Sequence, residues 1–393
     1  MNKKLKVLLI EHSLPLYHLP AWELLASHRD IELTIAYGKG FFTGKDSGVP
    51  EATIPKNANA IYYHSYVLRK FMFVKYLWHS IGLELVRNNQ YDVIIHQFEI
   101  KILSLFLTLK ACKRKNSSFL LWGIGSSLKG DNKIIDGIRK YFARTCEAII
   151  FYSSLNKQKY LKMGIPENKM YVAQNSIDID DIINYSKQYK RKNINDFRSR
   201  NNLNSFTVMT IGRLQERKKI EWLIDAIKTT KEMGYNFKLV IIGNGEKLTA
   251  LKEKTILLDL SSQVIFTGRL QGIDSIGPWF MSSDIVVAPG QIGHLATEAH
   301  AYGKPLIITN NPLRHRPEAE ILIEDKTGVT YQDGDVLDLS KKIIKFYKEK
   351  DLDKKYKNLC QKRAKDFTGC KKMVNGFIKA INNIKSSNLD FFN

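Results

Sequence analysis

Arg213 and Lys218 stand five residues apart in Ile211-Gly-Arg-Leu-Gln-Glu-Arg-Lys-Lys219, just after a β-branched run. A guanidinium offers a planar fork and an ammonium a point charge, so together they can neutralise a departing diphosphate. A solvated run of basic residues has the same composition. The second chemical stretch is Ala288-Pro-Gly-Gln-Ile-Gly-His-Leu-Ala-Thr-Glu-Ala-His-Ala-Tyr-Gly-Lys-Pro305. Its order reads strand, glycine loop, helix N-terminus, helix, strand. Free N–H groups at a helix N-terminus reached through glycines suit an anion. The backbone of Gly290, Gln291, Ile292, Gly293, His294 and Leu295 can supply them, and the His294 ring adds a donor. Glu298, early in that helix, cannot bind phosphate but can accept hydrogen bonds from sugar hydroxyls. Phosphate-binding backbone beside such a carboxylate points to a nucleotide-sugar site. Glycine-containing strand–helix turns without a ligand are also common in α/β proteins. Two more strand ends carry glycine: Gly243-Asn244-Gly245, and Gly268-Arg269, where backbone can meet a base edge. Gly212 lies at the first.

These residues need strands to place them. Phe206–Ile211, Phe237–Ile242, Val264–Thr267, Ser283–Ala288 and Leu306–Thr309 read as buried strands, with helical segments between. The N-terminal half alternates in the same way: Lys6–Ile10, Ile31–Ala36, Asp92–Ile95, Phe119–Trp122, Glu147–Tyr152 and Lys169–Gln174 read as strands. Val67–Arg87 and Ile100–Lys113 read as helices. Such alternation predicts doubly wound parallel sheets, twice over. The polar, basic segment from Tyr185 to about Asn204 lacks a strand signal and is the expected boundary. Gly303 suits the helix C′ place and Pro305 blocks continuation. In open parallel sheets ligands bind beyond the C-terminal strand ends, so two sheets facing each other predict a central cleft.

The chain has 393 residues, 44% of them hydrophobic and 25% charged, as in a globular protein of two domains. Its formal net charge is +22, from 61 Lys and Arg against 39 Asp and Glu. That field attracts polyanions. No helix-turn-helix, zinc-finger or RNA-recognition signature accompanies it, so no nucleic-acid partner is expected. An anionic membrane is the expected partner of the charge; Arg69, Lys70 and Lys75 flank Phe71, Met72 and Phe73 as one candidate segment. Cys112, Cys146, Cys360 and Cys370 are scattered, without a zinc or disulfide pattern. The apolar run at the start is short and ends at Glu11 and His12, so a first strand is expected there rather than a signal peptide. No run approaches a transmembrane length. The expected location is cytoplasmic, at the inner face of the cell membrane.

The order of these elements resembles that of family 4 retaining glycosyltransferases of the GT-B fold. The likeness covers most of the C-terminal half: Gly-Arg-Leu…Lys at 212–218, Gly-x-Gly at 243–245, Val-x-Phe-x-Gly at 264–268 and, most specific, Glu-Ala-x-Ala-x-Gly-x-Pro at 298–305. Asn175-Ser-Ile-Asp178 is similar to an Asn-Gly-Val-Asp element near the end of the N-terminal domain. The resemblance implies that Arg213 and Lys218 hold the diphosphate and that Glu298 binds ribose hydroxyls. Glu298 matches the second residue of a Glu-x7-Glu pair whose first residue is here Gly290, near the transferred sugar. Lys219 falls where relatives usually have glycine.

The N-terminal half departs more from the family. Glu11-His-Ser-Leu-Pro-Leu-Tyr-His-Leu-Pro20 stands where relatives have a glycine-rich loop, and Trp122-Gly-Ile-Gly125 is similar to a Trp-Gly-His-Gly element with Ile124 for the histidine. His12, Pro15, Tyr17, Trp122 and Gly125 are the acceptor-side candidates; His18, His96 and Glu99 are further polar residues near strand ends. The implied organisation is an acceptor-binding domain over 1–190, a nucleotide-sugar-binding domain over 191–370, and a helix over 371–393 packing back on the first. The implied reaction moves a sugar from a nucleoside diphosphate-sugar to a glycan or lipid-linked glycan hydroxyl, with retention, in bacterial surface-polysaccharide synthesis. No metal or resident cofactor is expected. A sugar-nucleotide epimerase and a non-catalytic nucleotide-sugar binder are the alternatives.

Overall fold

The structure is a computed structural model that describes residues 3–38, 54–63, 66–71, 74–78, 80–126, 133–315 and 317–389. It separates into two compact units, Met1–Ile177 with Cys370–Asn393, and Asp178–Gly369.

The first unit contains β1 (Leu5–Glu11), β2 (Ile31–Gly38), β3 (Asn59–Tyr63), β4 (Tyr66–Phe71), β5 (Val74–Trp78), β6 (Val93–Gln97), β7 (Ser118–Gly123), β8 (Ala148–Phe151) and β9 (Met170–Val172). Seven of these form a parallel sheet in the order β3-β2-β1-β6-β7-β8-β9. β1 is a continuous apolar run because both its faces are covered. Leu8 and Ile10 enter the core on one side of the sheet, Val7 and Leu9 the core on the other. Each such side chain contributes roughly 1.5–3 kcal/mol through burial.

The second unit contains β10 (Thr207–Ile211), β11 (Lys238–Ile242), β12 (Val264–Gly268), β13 (Ile285–Ala288), β14 (Leu306–Thr309) and β15 (Gly328–Tyr331). All six pair in parallel in the order β12-β11-β10-β13-β14-β15. Val208, Leu239, Ile285, Val287 and Ile307 share one core cluster with helices Ile220–Glu232 and Val336–Lys348. Both units therefore have the doubly wound α/β architecture that the alternation predicts.

Three expectations need correction. Val67–Arg87 is not one helix: β4 and β5 form an antiparallel hairpin, and the helix is Ser80–Asn88. Tyr66, Val67, Phe71, Val74 and Tyr76 are aromatic or β-branched and suit a strand pair better. The side chains of the candidate membrane segment around Arg69, and residues Met72 and Phe73 altogether, lie outside the described residues. The boundary falls after Ile177, not at 190. The segment read as a linker forms helices Ile179–Gln188 and Arg191–Arg200. The first packs on helices Ile273–Ser282 and Leu295–Ala301, which ties it to the second unit. Asp178 caps it, accepting from the Asp180 and Asp181 amides. The last helix, Cys370–Leu389, packs on helix Leu19–Ala26 and on β8 and β9, so the third segment belongs to the first unit and begins at Cys370.

Candidate functional site

The second sheet reverses its winding between β10 and β13. The chain leaves β10 toward β11 and leaves β13 toward β14, so a crevice opens beyond their C-terminal ends. The loop after β10 holds Gly212 and Arg213; the loop after β13 holds Pro289, Gly290 and Gln291. Gly212, Arg213, Lys218, Pro289, Gln291 and Leu295 line one pocket there. The structure thus brings together the two cations singled out by their spacing and the glycine loop.

The two loops are stitched to each other. The Gln291 amide donates to the Arg217 carbonyl at 2.8 Å, and the Lys218 ammonium donates to the Gln291 carbonyl at 2.8 Å. The Tyr331 hydroxyl donates to the Pro289 carbonyl from below. A Cβ built on Gly290 would stand 2.5 Å from the Arg217 carbonyl oxygen and 2.7 Å from the Lys218 carbonyl carbon. Backbone meets backbone there, so this loop as folded has no room for any side chain, and a glutamate at 290 is excluded. Lys219 closes the facing turn in the left-handed region at φ 52°. Its ammonium pairs with Glu216 and, at 3.6 Å, with Glu221, and it lies 5.5 Å from the Trp222 ring centroid.

Glu298 lies in the first turn of helix Leu295–Ala301, whose two turns end at Gly303 with φ +78°. Burial pushes its carboxyl up to about 7, and the Lys218 ammonium acts against that shift. The site therefore holds an exposed guanidinium, a half-buried ammonium and a carboxyl poised between two protonation states. Arg213 and Lys218 can take negative charge; Glu298 can accept from hydroxyls, and each bond it accepts favours its ionised form.

Gly243 and Gly245 have a packing duty. Added Cβ atoms would stand 1.9 Å from the Gly212 carbonyl and 2.4 Å from the Leu214 carbonyl. Leu214 N donates to the Asn244 carbonyl at 3.0 Å, and the Asn244 side chain accepts from Gly245 N at 2.7 Å. These residues hold the Arg213 loop by its backbone. Gly268, at φ +75°, has open space around it, with Arg269 exposed beside it. His294 caps the helix from αR backbone and Ile292 is buried.

In the first unit the acceptor-side candidates divide. Trp122 is corrected: it is fully buried, 5.1 Å from Trp22, 4.9 Å from Tyr152 and 5.1 Å from Phe377 between ring centroids. Its ring fills the core and cannot meet a substrate. Gly125, at φ +63°, is pinned through its carbonyl to the Tyr160 hydroxyl at 2.6 Å. Pro15 is buried and opens a short 3-10 turn, while Tyr17 is half-buried, edge-on to His18. His12 is buried, its amide donating to the Gln97 side chain at 3.1 Å. His96 is buried within its strand, and burial lowers it to about 4. Sequence reasoning missed the Gln291 carbonyl as the resting partner of Lys218. It also missed the contact between His18 and Asn175, 2.6 Å apart from ring nitrogen to amide oxygen. Neither has a local sequence signal, because both depend on which loops the fold makes neighbours.

Residues 191–365 match the family described as Glycosyl transferases group 1. An uncharacterized glycosyltransferase of Methanocaldococcus jannaschii is 31% identical over 193 residues, which is 47% of this chain and 48% of the relative. The chain thus spans about half the length of that relative. An uncharacterized 41.2 kDa protein in the cps region of Klebsiella pneumoniae is 22% identical over 311 residues, 76% of this chain and 80% of the relative. Among solved structures, Anabaena HepE in complex with UDP superposes with a TM-score of 0.70 at 15% identity, covering 96% of this chain and all of that one. The fold is GT-B, and the stretch that matches the group 1 glycosyltransferase family lies within the second unit.

Proposed function

We propose that the chain transfers a sugar from a nucleoside diphosphate-sugar to a hydroxyl of a glycan or lipid-linked glycan, with retention at the anomeric carbon. The observation that carries this reading is the single pocket lined by Arg213, Lys218 and Gln291 at the reversal of the second sheet, with the Glu298 carboxyl in the field of Lys218. A nucleotide lies across such a reversal. Its diphosphate meets Arg213 and Lys218, its ribose hydroxyls meet Glu298, and its base extends toward Gly268 and Arg269.

The barrier is departure of the nucleoside diphosphate from an oxocarbenium-like centre. Charge growing on the leaving phosphate strengthens its bonds to Arg213 and Lys218, which lowers the barrier without a metal. The leaving phosphate oxygen then takes the proton of the acceptor hydroxyl as that hydroxyl attacks from the same face. Lys218 gives up its bond to the Gln291 carbonyl when the donor enters. With Gly290 at the usual glutamate position, recognition of the transferred sugar falls to the backbone of Gln291–His294.

Synthesis of a surface polysaccharide is the proposed setting, supported by the Klebsiella relative from a cps region. An acceptor carried on an anionic membrane suits the net charge of +22. Among the described residues no helix is long and apolar enough to cross a membrane. The test is a thermal-shift screen of nucleotide-sugars, beginning with UDP-sugars because HepE holds UDP, followed by product analysis with acceptor. The expected result is stabilisation by one donor and a new α-linked glycoside from an α-linked donor. Inversion overturns the retaining reading, an altered sugar without acceptor means an epimerase, and binding without turnover means a binder.

A further inference from the structure

In the first unit, helices Ser104–Arg114 and Lys133–Thr145 leave a groove between them lined by Ile102, Leu103, Phe106, Ile134, Ile138 and Tyr141, among others. Its volume is about 620 Å³, within the range of small-molecule sites (roughly 300–1,000 Å³). The lining is apolar and uncovered: Ile134 is 75% exposed, Tyr141 48%, Phe106 47%, Leu103 44% and Ile138 42%. Isolated apolar residues at a surface are ordinary, but five around one groove are not. Phe106 and Tyr141 stack across it with ring centroids 6.1 Å apart.

Gly137 sits in the middle of the second helix, where glycine costs about 1 kcal/mol relative to alanine. Nothing lies within 4 Å of the Cβ it lacks. Close packing does not require this glycine; what the missing side chain leaves is space within the groove. The two helices are cationic. Lys110, Lys113, Arg114, Lys133, Lys140 and Arg144 lie on these two helices and are exposed or half-buried. The one carboxylate on them, Asp136, is held by Arg139 at 2.9 Å and Lys159 at 3.6 Å. By helical spacing Lys110 continues the Leu103–Phe106 stripe and Arg144 continues the Ile134–Ile138–Tyr141 stripe. Each apolar stripe thus ends in a cation, as a side seated on acyl chains beneath anionic headgroups would.

We infer that this groove lodges a hydrocarbon chain of an anionic bilayer and so docks the first unit on the membrane. The inference deepens the membrane contact proposed above and rests on that reading for its purpose. The test uses the full chain and vesicles of phosphatidylcholine alone or mixed equally with phosphatidylglycerol. Flotation is expected with the mixed vesicles and is weakened by salt. Ile134→Glu and Ile138→Glu should each weaken it on the order of tenfold. Gly137→Phe fills the groove while keeping its surface apolar and removes a helix-breaking residue, so it should fold and yet also weaken flotation. A fluorophore at Leu103→Cys should shift to the blue on binding, and Gly137→Phe should abolish the shift.

Three outcomes overturn the inference: flotation indifferent to all three substitutions, a fluorophore that stays in water, or a concentration-dependent dimer that these substitutions dissolve in place of flotation. The last would make a second copy the occupant. Donor stabilisation and transfer to a short water-soluble acceptor are read in parallel. Transfer without flotation removes the groove and leaves the function; flotation through the groove without transfer removes the function and leaves the groove.

Discussion

β1 and β6 hold the same central places in the first sheet that β10 and β13 hold in the second, and both pairs open toward a reversal of winding. β1 and β6 end at Glu11 and Gln97, His12 follows Glu11, and the His12 amide donates to the Gln97 side chain across the strand ends. The Tyr63 hydroxyl donates to the Glu11 carbonyl at 2.7 Å, and the Glu11 carboxyl faces the His18 ring at 4.0 Å. Burial holds that carboxyl well above the usual carboxylate range. Beyond β10 and β13 the chain turns away on Gly212 and Gly290 and leaves Arg213 and Lys218 at an open edge. Topology makes a crevice in both; the residues at the strand ends decide whether buried side chains or cations line it. Glycine permits the close loop contacts at the second crevice, whereas buried side chains occupy the first.

The sharpest way to break this comparison is to remove the cations. Arg213→Ala or Lys218→Ala should lower kcat on the order of a hundredfold or more and change KM less, because their contribution grows with charge on the leaving phosphate. Arg213→Lys should recover only part of the loss, since an ammonium cannot form the bidentate fork. Steady-state kinetics decide. Equal effects from His12→Ala would mean that the crevice of the first unit is catalytic too.

Glu298→Ala should weaken donor binding by roughly 1.5–3 kcal/mol with the fold intact, measured by calorimetry. The pH dependence carries a sign. With the free carboxyl near 7, hydroxyl donors favour its ionised form, so binding releases a proton and tightens as pH rises through about 7. Calorimetry in buffers of different ionisation enthalpy checks this, and Glu298→Gln should abolish it.

Gly290→Glu restores the carboxylate that relatives carry but drives a Cβ into the Arg217 carbonyl at 2.5 Å. It should destabilise the chain by roughly 1–3 kcal/mol in denaturant without raising turnover. Full stability with higher activity would show that the loops move apart freely.

Each unit also buries a neutral histidine. Burial lowers His300 to about 3 and His96 to about 4. The His96 ring meets the Gln97 carbonyl at 3.0 Å, while neither ring nitrogen of His300 has a hydrogen-bond partner among the described residues. Both pKa values lie below the unfolded one near 6.5, so the unfolded chain takes up the proton first. The stability present above about 6.5 is then lost as pH falls toward the folded value. His300→Leu should therefore spare about 2 kcal/mol of the loss between pH 7 and 5, read from urea unfolding at both.

The smallest effect separates adjacent lysines. Lys219→Ala removes exposed ion pairs worth roughly 0–1 kcal/mol and should leave kcat within about a factor of two. If it cripples turnover while Lys218→Ala does not, the register of this loop is misassigned.

The strands of both sheets were legible because buried parallel strands are short β-branched runs, and Phe206–Ile211 and Phe237–Ile242 each contain an observed strand. That Arg213 and Lys218 would lie together at a strand end was legible for a related reason: charge just past such a run has few places to go but the crevice. The boundary was not, because helix Arg191–Arg200 buries no side chain fully and is rich in charge, like a linker. Trp122 was misread because an aromatic at a strand end looks alike whether it faces a ligand or Trp22 and Phe377. The crowding at Gly290 was illegible because it depends on the turn at Arg217, brought near only by the sheet.

Helix Cys370–Leu389 completes the first unit after the whole second unit has been threaded between. Phe377 closes the aromatic cluster of Trp22 and Trp122, with Trp22 at 5.3 Å. On the ribosome, then, the unit that begins before the other closes after it. Residues 178–369 can emerge and close as a contiguous body, while Trp22 and Trp122 wait for Phe377, which is made only after the whole second unit. Through that interval the nascent chain carries an open apolar face beside β8 and β9, and a chaperone that holds such faces is needed most then.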